Sequence, residues 1–300
     1  MRILQEIRDC FAALGKNQAF KIRSLPEEYS AWVIRKDDWI GVGIPIRSKQ
    51  LVSERFSSVR LWSDNLVINN QDISLLILSS TEESLKYEFA SICAQFIDPG
   101  DDGIYRAQLI RNPTEWWDRW RNLLGNSIKD KKPYSVLGEM IVLERLIETC
   151  KEPVWSALKK ASHDIELDVC SYEVKSTLNR YESIVSINSQ FQLQNNRDTW
   201  LVFCRFEPSN LGISVDQICE SLVSKGVNRF ELEEGLESLG LEAGCSARSE
   251  RYVLLEMRRY KIDEHFPLIT PSLFKTNQYP SNIRKITYEV DLNGLMYEDF

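Results

Sequence analysis

The chain has 300 residues, 43% of them hydrophobic and 27% charged, with a formal net charge of −7. This composition suits one large or two modest globular domains and excludes a disordered chain. The acidic balance gives no whole-molecule support for nucleic-acid binding, which rests instead on the local charge of a groove. No apolar run is long enough to span a bilayer, and the N-terminus lacks the apolar core of a signal peptide, so a cytoplasmic protein without membrane contact is expected. Seven cysteines, at 10, 93, 150, 170, 204, 219 and 245, are scattered and form no Cys-x-x-Cys, the pattern of reduced thiols rather than a zinc site. Two histidines, His163 and His265, are too few for a multi-histidine metal centre.

Residues 1–15 show helical spacing through Ile3, Leu4, Ile7, Phe11 and Leu14. Strand-like runs follow at 31–35, 39–46, 59–62, 66–68 and 74–79, with Asp64-Asn65 and Asn69-Asn70 as polar turns. Helical spacing returns over 82–96, with Thr81 in place to cap it. The cluster Pro99-Gly100-Asp101-Asp102-Gly103 breaks the chain there. A helix is expected at 113–124, a polar turn at 129–133, and a helix over 135–149 capped by Ser135, with Val136, Met140, Leu143 and Ile147 as its stripe.

The period then changes. Residues 164–169, 172–177 and 184–188 read as three consecutive strands, 189–195 as a short helix, 200–206 as an apolar strand and 214–224 as a helix. Six acids and one base between 231 and 250 mark a solvated helical face. Strands are expected at 252–257 and 286–290, with a loop over 270–280. No repeat, P-loop, Gly-rich dinucleotide turn or Ser/His/Asp set is present.

The chemistry concentrates in 163–177. On a strand, Glu173 and Lys175 share one face. A hairpin closing near 169–170 would set Asp164 opposite Lys175 and Glu166 opposite Glu173, and any even offset keeps all four on that face. Neighbouring carboxylates stay ionised together only around a cation. Mg²⁺ suits a few carboxylate oxygens plus water and phosphate, and a nearby lysine can orient water or steady an oxyanion. A solvated hairpin of alternating charge is the plainer reading of the same residues. Glu139, near the start of an apolar helix, either favours the exposed helix terminus or turns inward as a third carboxylate. Residues 106–132 carry seven Lys or Arg against three acids, interleaved with Trp116, Trp117 and Trp120; they fit either a nucleic-acid grip or a helix whose tryptophans are core.

Glu139 in a helix, Asp164 on a strand, Glu173-Val174-Lys175 on the next, then a third strand and a helix with glutamines resemble the α-β-β-β-α-β core of the PD-(D/E)XK nuclease superfamily. Gly138-Glu139, His163-Asp164, Glu173-Val174-Lys175-Ser176-Thr177 and Gln192-Leu193 resemble more narrowly a bacterial PD-(D/E)XK motif family associated with restriction and phage defence. His163 stands where the motif name has proline, and Asp168 competes with Asp164 as the first acid.

The resemblance implies an α/β (α+β overall), restriction-endonuclease-like protein. A strand-rich N-terminal module spans 1–98, the nuclease core 99–226, and a C-terminal α+β extension 227–300 packs on that core. It implies hydrolysis of phosphodiester bonds, in DNA before RNA, with Mg²⁺, or Mn²⁺ as substitute. The metal ligands would be Asp164, Glu173 and Glu139, with Lys175 as the catalytic lysine. Gln192 would touch the phosphate or the edge of the site, or serve as a plain polar residue. Nucleic acid, other defence-system proteins and a second copy of the chain are the expected partners. Two rivals stand beside this reading: a dormant nuclease-fold scaffold, and an unrelated α+β interaction module with a solvated hairpin.

Overall fold

The computed structural model describes residues 2–47, 51–124, 132–149, 152–157, 163–193, 198–280 and 282–300. The chain divides into two compact units, 1–129 with 242–246, and 130–241 with 247–300. No helix among the described residues is long and apolar enough to cross a membrane.

In the first unit, α1 (Arg2–Ala13) precedes β1 (Gln18–Lys21), β2 (Trp32–Arg35), β3 (Ile40–Pro45), β4 (Ser53–Phe56), β5 (Val59–Ile68) and β6 (Gln71–Ser80). These strands form one antiparallel sheet in the order β1-β2-β3-β6-β5-β4. Then come α2 (Lys86–Ile97), α3 (Ile104–Arg111) and α4 (Pro113–Leu124). The six residues Leu75–Ser80 are all buried, because both faces of the sheet are covered. Leu76 and Leu78 join Phe11 of α1, Phe89 and Phe96 of α2, and Trp117 of α4, whereas Leu75 and Ile77 meet Trp32, Ile34 and Ile68. Each such side chain contributes about 1.5–3 kcal/mol when fully buried.

Several expectations are corrected here. The runs at 59–62 and 66–68 are one strand, since Asp64 and Asn65 stay in register with Leu75 and Ser74 of β6. The real turn is Asn69-Asn70, with positive φ of 53° and 63°, which asparagine tolerates in a two-residue hairpin. The strands at 18–21 and 53–56 and helix α3 are additions. Glu82, not Thr81, accepts from the Ser84 N–H at the turn leading into α2.

The second unit holds α5 (Pro133–Thr149), β7 (Val154–Trp155), β8 (Ile165–Glu166), β9 (Cys170–Thr177), β10 (Ile184–Ile187) and β11 (Asp198–Ile213). It continues with α6 (Val215–Ser224), α7 (Arg229–Ser238), β12 (Tyr252–Lys261), β13 (Tyr288–Asp291) and β14 (Glu298–Asp299). The main sheet runs β14-β12-β11-β9-β8-β7. β7, β8 and β9 form an antiparallel meander, and β11 runs parallel to β9. α5, β7, β8, β9 and β11 thus supply the α-β-β-β-…-β order of the mixed α/β nuclease-like fold. α5 begins at Pro133, so Ser135 is inside it rather than its cap. Of the turn expected at 129–133, residues through 131 lie outside the described residues.

The segment 184–188 is not the third strand of the meander. β10 pairs with β13 in a separate two-stranded ladder. Its burial alternates, with Val185 and Ile187 buried and their neighbours exposed. Such a strand covers one face, whereas a central strand is buried on both. β11 is the central type: Leu201–Phe206 are all buried. Val185, Ile187 and Val290 of the ladder pack with Leu201, Phe203 and Tyr260 of the main sheet. Residues 190–193 are a turn rather than the start of a helix, and 194–195 lie outside the described residues.

Candidate active site

Alternation along β9 divides its side chains between two layers. Val174 and Ser176 face α5, which approaches closely at Gly138: a Cβ there would lie 2.3 Å from Ser176 Oγ and 3.5 Å from Val174 Cγ1. Glu173 and Lys175 therefore point to the opposite face, that of Leu201 and Phe203, their register partners on β11. The β10–β13 ladder covers this face. The turn after β10 carries Gln192, whose Nε2 donates to Glu173 Oε1 at 2.5 Å. Its own Oε1 accepts from the Asn188 N–H at 2.7 Å, and its N–H donates to the Ser189 carbonyl at 3.0 Å. Lys175 Nζ lies 2.9 Å from the same Glu173 Oε1. Glu173 is 4% exposed, a burial that would be costly for a carboxylate without such partners.

Asp164 immediately precedes β8. The pairs Ile165↔Tyr172 and Glu166↔Ser171 extrapolate to Asp164 across from Glu173, two residues from the position expected. A shift of two preserves the face, so the shared-face argument survives the change of register. Asp164 Oδ2 accepts from the Val174 N–H at 2.8 Å, tying it to the strand that carries Glu173 and Lys175. Asp168 lies exposed at the hairpin tip.

Glu139 takes the inward of its two alternatives and is 1% exposed. Its Oε2 accepts from Trp155 Nε1 at 3.0 Å. Trp155 is in register with Ile165, and Ile165 with Tyr172. Glu139 thus meets the meander on the α5 face, while Glu173 occupies the other. Among the described residues, no three His, Cys, Asp or Glu side chains are grouped closely enough to hold one metal ion. The structure therefore joins Glu173, Lys175 and Gln192 directly, sets Asp164 alongside through the backbone, and keeps Glu139 under the sheet.

His163 is 2% exposed and neither ring nitrogen makes a well-formed hydrogen bond. Burial lowers its pKa, opposed by the charges of Glu166 and Asp164 and by the Gln192 backbone. Trp155 is the partner that sequence reasoning missed; the short Val154-Trp155 run gives too little periodicity to mark a strand.

In the segment 106–132, Trp117 is core and Trp116 packs edge-on to Phe96 at 5.1 Å. Arg106 is buried and Arg119 pairs with Glu115. These described members serve the first unit's packing; the side chains of 121–131 lie outside the described residues.

With this geometry in hand, comparison with known proteins gives one match. The profile of the family described as "Putative PD-(D/E)XK family member, (DUF4420)" matches residues 36–293. No curated protein and no solved structure matches significantly.

Proposed function

The chain belongs to this PD-(D/E)XK family, and on that premise we propose that it is a divalent-metal-dependent nuclease that hydrolyses phosphodiester bonds in DNA, in the setting of restriction or anti-phage defence. The observation that carries the proposal is the convergence of Lys175 and Gln192, from separate segments, on one buried carboxylate, Glu173. A solvated charged hairpin has no use for that burial or for the glutamine.

The residues fit a hard cation. Glu173 on β9 and Asp164, just before the neighbouring β8, offer carboxylate oxygens, and the ammonium of Lys175 marks a cation position on Glu173. Mg²⁺ needs only one or two carboxylates when water and phosphate complete its shell. Bound there, Mg²⁺ would lower the pKa of a water and neutralise charge developing on the phosphate. Gln192 holds the Glu173 carboxylate in one orientation. Lys175 donates hydrogen bonds to the attacking water and to the phosphoryl oxygens as they gain charge. Glu139, held by Trp155, acts as a positioning residue that fixes α5 against the meander.

The test is cleavage of labelled duplex DNA, single-stranded DNA and RNA by the purified chain with Mg²⁺, Mn²⁺, Ca²⁺ or EDTA. DNA cleavage should appear with Mg²⁺ and Mn²⁺, be weak with Ca²⁺ and vanish with EDTA. Full activity in EDTA overturns the mechanism. Inactivity with every metal, alone and with its defence partners, leaves the dormant-scaffold reading.

A further inference from the structure

The acidic chain contains 44 Asp and Glu in 300 residues, yet residues 266–288 contain none. They contain three cations, Lys275, Arg284 and Lys285. All three are exposed. Among the described residues, none of them takes part in an ion pair. The exposed cations Arg229 and Lys225 of the same unit are paired, with Glu220 and Glu148. The segment 266–288 leaves its three charges without a protein partner among the described residues, which suits an anionic ligand.

The segment is also fastened to the candidate active site. The Ile286 N–H donates to Gln190 Oε1 at 2.9 Å, and Gln190 is 4% exposed. The Phe191 ring packs edge-on to Tyr279 at 5.7 Å, and Tyr279 edge-on to Phe274 at 5.6 Å. Tyr279 in turn donates its hydroxyl to the Ile269 carbonyl at 2.9 Å. Gln190 and Phe191 directly precede Gln192, which touches Glu173. Phe191 is nevertheless 57% exposed and Leu273 68% exposed. A basic, aromatic surface built onto the turn that carries Gln192 matches a polyanion with planar bases.

We propose that Lys275, Arg284 and Lys285 form a clamp for the phosphate backbone of nucleic acid beside the Glu173 site, with Phe191 available to a base or sugar. The assignment of the polyanion rests on the nuclease reading. The clamp lies on the same unit as Glu173, so it would hold substrate without help from the 106–132 segment.

The test uses the full chain, a fluorescein-labelled oligonucleotide duplex and its single strand, and Ca²⁺ to suppress turnover. Anisotropy titrations compare the wild type with the triple variant K275Q/R284Q/K285Q between 50 and 200 mM salt. Three phosphate contacts on duplex make the wild type lose roughly 40-fold more affinity than the variant across that range. Melting temperature should be unchanged, since all three side chains are exposed. Equal affinity and equal salt slope overturn the clamp, as does a wild type that binds no nucleic acid or that prefers acidic peptides. Binding that depends on the three cations without any cleavage leaves the clamp standing and sinks the nuclease reading instead. Cleavage with no dependence on them does the reverse.

Discussion

Each unit of the molecule is built on a six-stranded sheet, and one buried charge in each, Arg106 and Glu173, is satisfied differently. In the first unit the Arg106 guanidinium donates to the carbonyls of Tyr29, Ser30 and Ile97 at 3.3, 3.3 and 2.8 Å. All three acceptors are backbone. Burial lowers the Arg106 pKa to about 10, so the cation persists at neutral pH. In the second unit Glu173 is met by the side chains of Lys175 and Gln192. Backbone acceptors cannot leave without unfolding the segment that carries them. Side chains can exchange a carboxylate for water, cation or phosphate by rotating. The first arrangement fixes a fold; the second, on the proposed function, holds chemistry ready.

This contrast can be broken by removing one partner on each side. Arg106→Ala strands three backbone carbonyls, that of Ile97 buried, and leaves a cavity. The unfolding free energy should fall by about 3 kcal/mol in a denaturant titration. A loss under about 1 kcal/mol would remove Arg106 from the structural side of the comparison. Trp155→Phe keeps an aromatic ring, loses the pyrrole half of the buried indole and takes one donor from the buried Glu139. It should cost about 1–2 kcal/mol by the same titration, with Mn²⁺ affinity unaltered if Glu139 works from the α5 face. A large drop in Mn²⁺ affinity would instead draw Glu139 to the metal.

The smallest effect is in pH. His163 has a folded pKa below its unfolded value of about 6.5. Between the two, the unfolded chain binds more protons, so stability rises with pH through that window. The His163 contribution is complete above about pH 6.5 and is lost as pH falls toward the folded value. His163→Gln should flatten this limb of the stability curve. What remains is the carboxylate limb, where Glu233, its pKa lowered chiefly by hydrogen bonding to Arg248, loses its contribution below the ordinary carboxylate range. An unchanged slope between pH 5 and 7 in the variant would refute the assignment to His163.

Much of the second unit was legible in the sequence because its signals are local. Glu173 and Lys175 share a face by alternation alone, and an even offset was enough to bring Asp164 to that face. The helix read over 214–224 is α6, which the structure starts with a Ser214 capping box. The strand order was not legible. Val154-Trp155 is two residues long, too short for periodicity, and becomes a strand only by pairing with Ile165-Glu166, which lies inside the run read over 164–169. β10 looks like any alternating strand, and only the apolar patch of Leu201, Phe203 and Tyr260 decides that it stacks on the sheet rather than joining it. The side of the sheet taken by Glu139 depends on Trp155, a contact across sixteen residues that helical spacing does not encode. In the first unit, Asp64-Asn65 has turn composition but stays paired because β6 offers it a complete ladder.

The central claim is that Lys175 beside Glu173 is catalytic, whereas the buried charges of the first unit are structural. One paired measurement tests it: cleavage rate with Mg²⁺ and thermal stability, for wild type and Lys175→Ala. Loss of one such hydrogen-bond donor costs on the order of 10²–10³ in rate. Lys175, with its side chain 17% exposed, is one of the partners of the buried Glu173, so its truncation should lower the stability of the metal-free chain by about 1–3 kcal/mol, and by less where Mn²⁺ takes its place on the carboxylate. The account predicts that cleavage falls by that factor while the variant stays folded at the assay temperature and still binds Mn²⁺. A variant that cleaves as fast as the wild type would show that Glu173 and Lys175 are not a catalytic pair.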